Sequence, residues 1–273
     1  MFLALKQDIP LDHVVPLAQY RHTVSVANTG EFHLISNVCP HQNSRIAQCA
    51  TTTLECPYHG LQFDCHGLGV GNDNFLDRWE CYTNQTMLFD QHIDCVFPVS
   101  TKHMILQEHR EDIVNALPEI IMDVFLDIEH IPVAHKGVYN AIGITSVSDL
   151  QWSLFSNGSI QVVPVQDDSH IIEDDQQYNL GAAWMAIYPG TMIEWQPGAL
   201  FITIAQPHIQ GSCVQVYKYQ DTRYSDSRWA VNQQVWELAW AQDKQLSELI
   251  VSVPHQNLDD LKQHHRVWMQ DAV

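Results

Sequence analysis

At 273 residues the chain has room for one large domain or two ordinary ones, and an apolar fraction of 45% is ample for buried cores. Its 13 basic and 32 acidic residues give a net charge of −19, which argues against nucleic acid or an anionic membrane as partner. No run approaches the roughly 18 apolar residues of a membrane span. The apolar Met1–Leu5 ends at Lys6 and Asp8, before a signal-peptide core is complete. A cytoplasmic protein is expected, and of its seven cysteines Cys49, Cys65, Cys81, Cys95 and Cys213 form no compact disulfide framework and read as reduced thiols.

Residues 1–100 read as many short strands. Val14-Val15, Thr23 to Val26, Phe32 to Ser36, Leu54 to Cys56 and Leu61 to Asp64 are apolar or β-branched runs. Turn signals at Asn28-Thr29-Gly30, His66-Gly67 and Gly71-Asn72-Asp73 separate them. Pro98 to Thr101 reads as a connection to a second domain over 101–273. There a helical pattern begins near Ile113, breaks at Pro118 and resumes through Glu129. Strand-like segments follow at Ile160 to Val165, Gly181 to Tyr188, Thr191 to Trp195, Leu200 to Gln206 and Cys213 to Tyr219. A long helix from about Asp226 to Val251, and a short one over Leu258 to Met269, close the chain. Curved antiparallel strands wrapped on a long C-terminal helix predict a helix-grip α+β domain.

Two stretches carry chemistry. The first is Cys39-Pro40-His41, fourteen residues, then Cys56-Pro57-Tyr58-His59-Gly60. Cys-x-His and Cys-x-x-His each place two metal donors on one short loop, with proline and glycine for tight turns. The same four atoms suit a structural Cys2His2 zinc site. Zinc fingers usually group Cys with Cys and His with His, whereas here each loop offers one of each. Two sulfurs can then hold one iron and two imidazoles the other, as in a Rieske centre.

The second stretch runs from Asp123 to His135. Asp127 and His130 are three apart and would share a helical face. His130 and His135 are five apart, which a regular helix splays by roughly 140°. Pro132 lies between them, and a break there would bring the imidazoles together. On the long helix, at ~100° per residue, Trp229, Trp236, Trp240, Asp243, Leu246 and Ile250 fall on one side. Asp243 thus sits in an apolar stripe, where an unpaired carboxylate is costly. Glu237 and Glu248 fall on the flank and read as solvated. Two histidines and a carboxylate make the facial triad of non-haem Fe(II) oxygenases, while a carboxylate paired with His, Arg or backbone donors is the alternative.

Together these motifs resemble the terminal oxygenase α subunit of the Rieske non-haem iron ring-hydroxylating oxygenases. The Cys-x-His … Cys-x-x-His-Gly pattern matches at Cys39, His41, Cys56 and His59. Asp-x-x-His-x-x-x-x-His matches at Asp127, His130 and His135, and the late family Asp matches at Gln242-Asp243-Lys244. Gln42-Asn43, where many relatives have Arg-Gly, Leu61, where Trp is usual, and Asp123, where Asn or Glu is common, are departures.

The resemblance implies an all-β Rieske [2Fe-2S] domain followed by a helix-grip catalytic domain with mononuclear Fe(II). Asp127 is implied to bridge a cluster His of one subunit to an iron-ligand His of its neighbour. It further implies a homotrimer, O2 as co-substrate and a separate NAD(P)H-dependent reductase, with or without a ferredoxin. Hydroxylation, dihydroxylation or demethylation of a small substrate is expected, an apolar aromatic or alicyclic one by default and a methylated amine or ether as the second class. Trp184, Met185, Tyr188, Trp195 and Phe201 supply most core and one or two pocket residues. Two other functions fit parts of the pattern: an electron carrier with a non-catalytic ligand-binding domain, and a zinc-stabilised binding module.

Overall fold

The computed structural model describes residues 1–164, 181–251 and 260–271. The chain divides into two compact units, Phe2–Ile93 and Asp94–Val273, with Met1 belonging to the second. The sequence-expected ends at Val165 and Leu258 lie outside the described residues. Among the described residues no helix is long and apolar enough to cross a membrane.

The first unit is all β. Strands β1 (Phe2–Leu5), β2 (His13–Pro16), β3 (Val24–Asn28), β4 (Phe32–Ser36), β5 (Leu54–Glu55), β6 (Gln62–Phe63), β7 (Arg78–Glu80), β8 (Tyr82–Asn84) and β9 (Met87–Phe89) form three small sheets. Their orders are β2-β3-β4-β7, β1-β9-β8 and β5-β6. Alternation along β3 and β4 sends side chains to two cores. One gathers Val14, Ala27, Ile35 and Phe63, the other Leu3, Leu17, Val26 and Leu34. The hairpin β5-β6, paired at Leu54↔Phe63 and Glu55↔Gln62, brackets the second motif loop. The first motif loop leaves β4 and is closed by a bridge between Val38 and Arg45.

The second unit is one seven-stranded antiparallel sheet with helices on one face. Its strands are β10 (Met104–Val114), β11 (Gln151–Phe155), β12 (Gly158–Val163), β13 (Ala182–Ile187), β14 (Thr191–Gln196), β15 (Ala199–His208) and β16 (Gly211–Asp221). The order is β10-β16-β15-β14-β13-β12-β11. Helices α1 (Pro118–Leu126), α2 (Ile131–Ala134), α3 (Asp226–Leu249) and α4 (Asp260–Asp271) complete the helix-grip arrangement.

Ile113 is strand rather than helix: it lies in β10, whose eleven residues pair with β16 through Ile113↔Cys213. The helical onset waits for Pro118, whose fixed φ suits the first turn of α1. Ser225 caps α3 by accepting the Arg228 N–H at 3.2 Å. The buried face of α3 runs Asn232, Val235, Trp236, Ala239, Trp240, Asp243 and Ser247, a 3.6-residue stripe.

One transverse row of the sheet faces this helix. Cross-strand register aligns Gln161, Trp184, Glu194, Phe201, Lys218 and Glu108. Residues directly opposite in neighbouring strands point to the same face, so Gln161, Glu194, Lys218 and Glu108 share one row with Trp184 and Phe201. Glu237, expected to be solvated, instead bonds Arg110 at 2.6 and 3.0 Å and contacts Lys218, which is wholly buried.

Candidate metal centres

In the first unit the two motif loops are built alike. Cys39 N–H bonds Ser44 O and Cys56 N–H bonds Leu61 O, each at 2.8 Å. Asn43 N–H returns to Cys39 O and Gly60 N–H to Cys56 O, each at 2.9 Å. Both returns need a left-handed residue, and Asn43 (φ +54°) and Gly60 (φ +70°) provide it. Asparagine tolerates that region better than most non-glycine residues, so Asn43 can stand where relatives carry glycine.

These turns sort the four donors by burial. Cys39 and Cys56 are each 1% exposed, whereas His41 and His59 are exposed, with their Nδ1 atoms 3.0 Å apart. The two thiols lie within hydrogen-bonding reach of each other. Burial raises the Cys39 pKa, and its hydrogen bond with Cys56 adds to this despite the His41 and Gln42 N–H groups. For Cys56 burial pulls upward too, but the N–H groups of Tyr58 and His59, with Cys39 and Ser44, outweigh it and lower the pKa. Sulfur within and imidazole at the surface is the sidedness a [2Fe-2S] centre with one solvent-facing iron requires.

In the second unit α1 stops at Leu126, because Asp127 turns extended (φ −80°, ψ 97°) and caps a 3-10 turn over Ile128–His130. The helix break therefore falls at Asp127 and not at Pro132, which sits in the first turn of α2. Asp127 and His130 accordingly do not share a regular helical face. His130 comes from the 3-10 turn and His135 caps the end of α2.

The three expected side chains converge. His130 Nε2 lies 2.9 Å from His135 Nε2 and 3.2 Å from Asp243 Oδ1, and His135 Nε2 lies 2.9 Å from that same oxygen. An octahedral ion with bonds of about 2.1 Å separates adjacent ligands by about 3.0 Å, so this triangle fits one face of such an ion. Each histidine is oriented from its other nitrogen. His130 Nδ1 meets the Asp127 carbonyl oxygen, and His135 Nδ1 meets Gln242 Oε1 at 2.7 Å. These acceptors place the proton on Nδ1 and leave Nε2 for a metal. Burial would raise the Asp243 pKa, but hydrogen bonds to both histidines bring it below the usual carboxylate range. Burial would lower that of His135, and Asp243 more than offsets it.

Asp127 lies beside the triad. Its Oδ1 accepts the Glu129 N–H at 3.0 Å, and its Oδ2 meets Lys262 Nζ at 2.8 Å. Burial opposes ionisation, but Lys262 and His130 prevail and hold the carboxyl below its ordinary value. Asp123 is 4% exposed and paired with Arg266 of α4, which accounts for a charged residue on the buried face of α1.

A narrow space of about 30 Å³ adjoins the triad, walled by Phe125, Ile131, Tyr139, Trp184, Met192 and Glu194 among others. A larger cleft of about 320 Å³ shares Ile131, His135 and Tyr139 with it. Of the aromatic candidates on the sheet, Trp184 lines the inner space, while Tyr188, Trp195 and Phe201 are wholly buried.

Glu194 was not singled out from the sequence. Its Oε1 accepts Trp236 Nε1–H at 3.1 Å and its Oε2 accepts Trp184 Nε1–H at 3.2 Å. Burial is the main reason its pKa is pushed up to about 7; Asp243 adds to the rise, and the two indoles and His135 oppose it. The signal was a lone carboxylate within the apolar run Thr191-Met192-Ile193-Glu194-Trp195, two residues from Met192 and so on its face. Gln242 and Lys262 were also without an assigned role.

Residues 1–82 match the family described as Rieske [2Fe-2S] domain. No curated protein matches the chain. Among solved structures it is similar to the quaternary ammonium Rieske monooxygenase CntA in complex with L-carnitine. That likeness has 14% identity over 100% of this chain and 87% of that one, with a TM-score of 0.72. It is also similar to NdmA of Pseudomonas putida CBB5 with caffeine, at 18% identity over 90% of this chain and 79% of that one, TM-score 0.51. At these identities the likeness is one of fold. The protein has an N-terminal Rieske [2Fe-2S] domain, and its whole chain has the fold of the Rieske non-haem iron oxygenase α subunits.

Proposed function

We propose that the protein is a Rieske oxygenase that uses O2 and externally supplied electrons to oxidise a small organic substrate. The carrying observation is the convergence of His130 Nε2, His135 Nε2 and Asp243 Oδ1 beside a walled pocket. In this reading Cys39, His41, Cys56 and His59 hold the cluster, within a domain taken as residues 1–100. His130, His135 and Asp243 hold ferrous iron within 101–273. Iron bound in that way supplies O2 activation, fed by electrons from the cluster.

The chain's own groups set the conditions. The Asp127 carbonyl and Gln242 fix which ring nitrogens face the iron. Phe125, Ile131 and Met192 exclude water and seat the apolar body of a small aromatic or alicyclic substrate. Asp127 is assigned the bridge between a cluster His of one subunit and His130 of its neighbour. Oxidation at or beside a nitrogen agrees with the quaternary ammonium and caffeine ligands named for the two relatives. A separate NAD(P)H-dependent reductase, with or without a ferredoxin, and a homotrimeric assembly complete the proposal.

Anaerobically purified protein is expected to carry two cluster irons and one mononuclear iron per chain, with a Rieske electron-paramagnetic-resonance signal on reduction. Full occupancy by zinc with no such signal would end this reading.

A further inference from the structure

The feature that the iron chemistry leaves unused is Glu194. A carboxylate does not enter an apolar sheet face without a compensating partner. Among the described residues its hydrogen-bond partners are two neutral indoles, one on each oxygen, at 3.1 and 3.2 Å, and no Lys or Arg pairs with it. The indoles fix the carboxylate's plane and leave each oxygen a further lone pair. Trp184 stands opposite Glu194 in register, and Tyr139 packs edge-on to Trp184 with centroids 6.1 Å apart. Phe125 lines the same space. A held carboxyl in a space also lined by Phe125, Tyr139 and Trp184 can recognise an organic cation, by charge and by cation–π attraction together.

We propose that Glu194, with Trp184, Tyr139 and Phe125, selects a substrate bearing a compact cationic nitrogen, an alkylammonium head placed beside the iron-site triad. The inference rests on the oxygenase reading only in taking the pocket as the substrate's. It makes Glu194 a specificity-determining residue whose role is to attract and orient charge. A neutral molecule of the same shape would gain nothing from the Glu194 charge and so bind more weakly.

The test is equilibrium binding to the iron-loaded protein, followed by tryptophan fluorescence, with choline against its neutral carbon isostere. Wild type should bind the cation at least about tenfold more tightly, the scale of one good charge or cation–π contact. Glu194→Gln should abolish that preference while iron content and the cluster signal stay at wild-type levels. Glu194→Asp, which keeps the charge, should retain the preference at reduced affinity. Equal affinities in wild type would overturn the proposal. So would loss of iron in Glu194→Gln, because the carboxylate would then serve to balance the metal's charge. The oxygenase reading fails on other grounds, absent iron or absent O2 uptake, neither of which mimics a lost charge preference.

Discussion

Which nitrogen each histidine of the proposed iron site offers is decided by one hydrogen bond apiece. For His135 that acceptor is Gln242 Oε1, at 2.7 Å. Gln242→Leu removes it without touching the three converging atoms, so the imidazole loses its fixed orientation and tautomer. Iron affinity should fall about 10- to 100-fold, the usual effect of losing a partner behind a metal ligand. Competition with a chelator measures this, and an unchanged affinity would mean packing alone orients His135. The motif residues were legible because Cys39/His41, Cys56/His59 and His130/His135 are close in sequence, and spacing alone makes such donors neighbours. Gln242, Lys262 and Glu194 were not, because their roles depend on partners far along the chain. Only the closed fold shows that His135 and Gln242, or Asp127 and Lys262, meet.

At the scale of elements, parity explains both what was read and what was misread. The long helix was recognisable because its apolar residues recur at 3.6, and Asp243 interrupts that stripe. The segment ahead of Pro118 was misread because β10 is short of the apolar alternation that marks a strand. Its Glu108, Arg110 and Asp112 occupy the face toward α3, and their polarity is matched by Lys218 and Glu237. Lys218 is wholly buried, so its ammonium depends on these carboxylates. Glu237→Ala should therefore destabilise the protein by about 2 kcal/mol, the range for a hydrogen bond to a buried charge.

The same network sets a pH dependence. Burial alone would raise the Glu108 and Glu237 pKa values, but Lys218 and Arg110 bring both below the ordinary glutamate value of 4.5. A depressed folded-state value contributes stability that is complete above that pH and is lost as pH falls through the lowered value. Denaturant unfolding at about pH 7 and about pH 4 should thus show wild type losing more stability than Glu237→Ala. Equal losses would place the acid sensitivity elsewhere.

At the scale of the molecule, the proposed oxygenase would pass electrons from its cluster domain to its iron domain, and Asp127 is the residue through which the proposed assembly would do so. Its side chain is 33% exposed, with one oxygen on the Glu129 N–H and the other on Lys262. The backbone bond holds the carboxylate in place, and Lys262 keeps it ionised. A carboxylate fixed and charged in this way can accept a hydrogen bond from a cluster imidazole of a neighbouring subunit. Repeated head to tail about a closed symmetry axis, that contact makes a ring, and a trimer is the assembly proposed. Asp127→Asn keeps the size and the Oδ1 cap while removing the charge. Both metals should remain, but stopped-flow oxidation of the reduced cluster, with substrate and O2 present, should slow by at least about 100-fold, a barrier increase of about 2.7 kcal/mol. Lys262→Met should preserve the metals and slow the same step less, since it leaves the charge but loosens its hold. Light scattering on the same samples would report the oligomer. Wild-type oxidation rates in Asp127→Asn, or full turnover by a monomer, would make Asp127 an ordinary cap paired with a lysine.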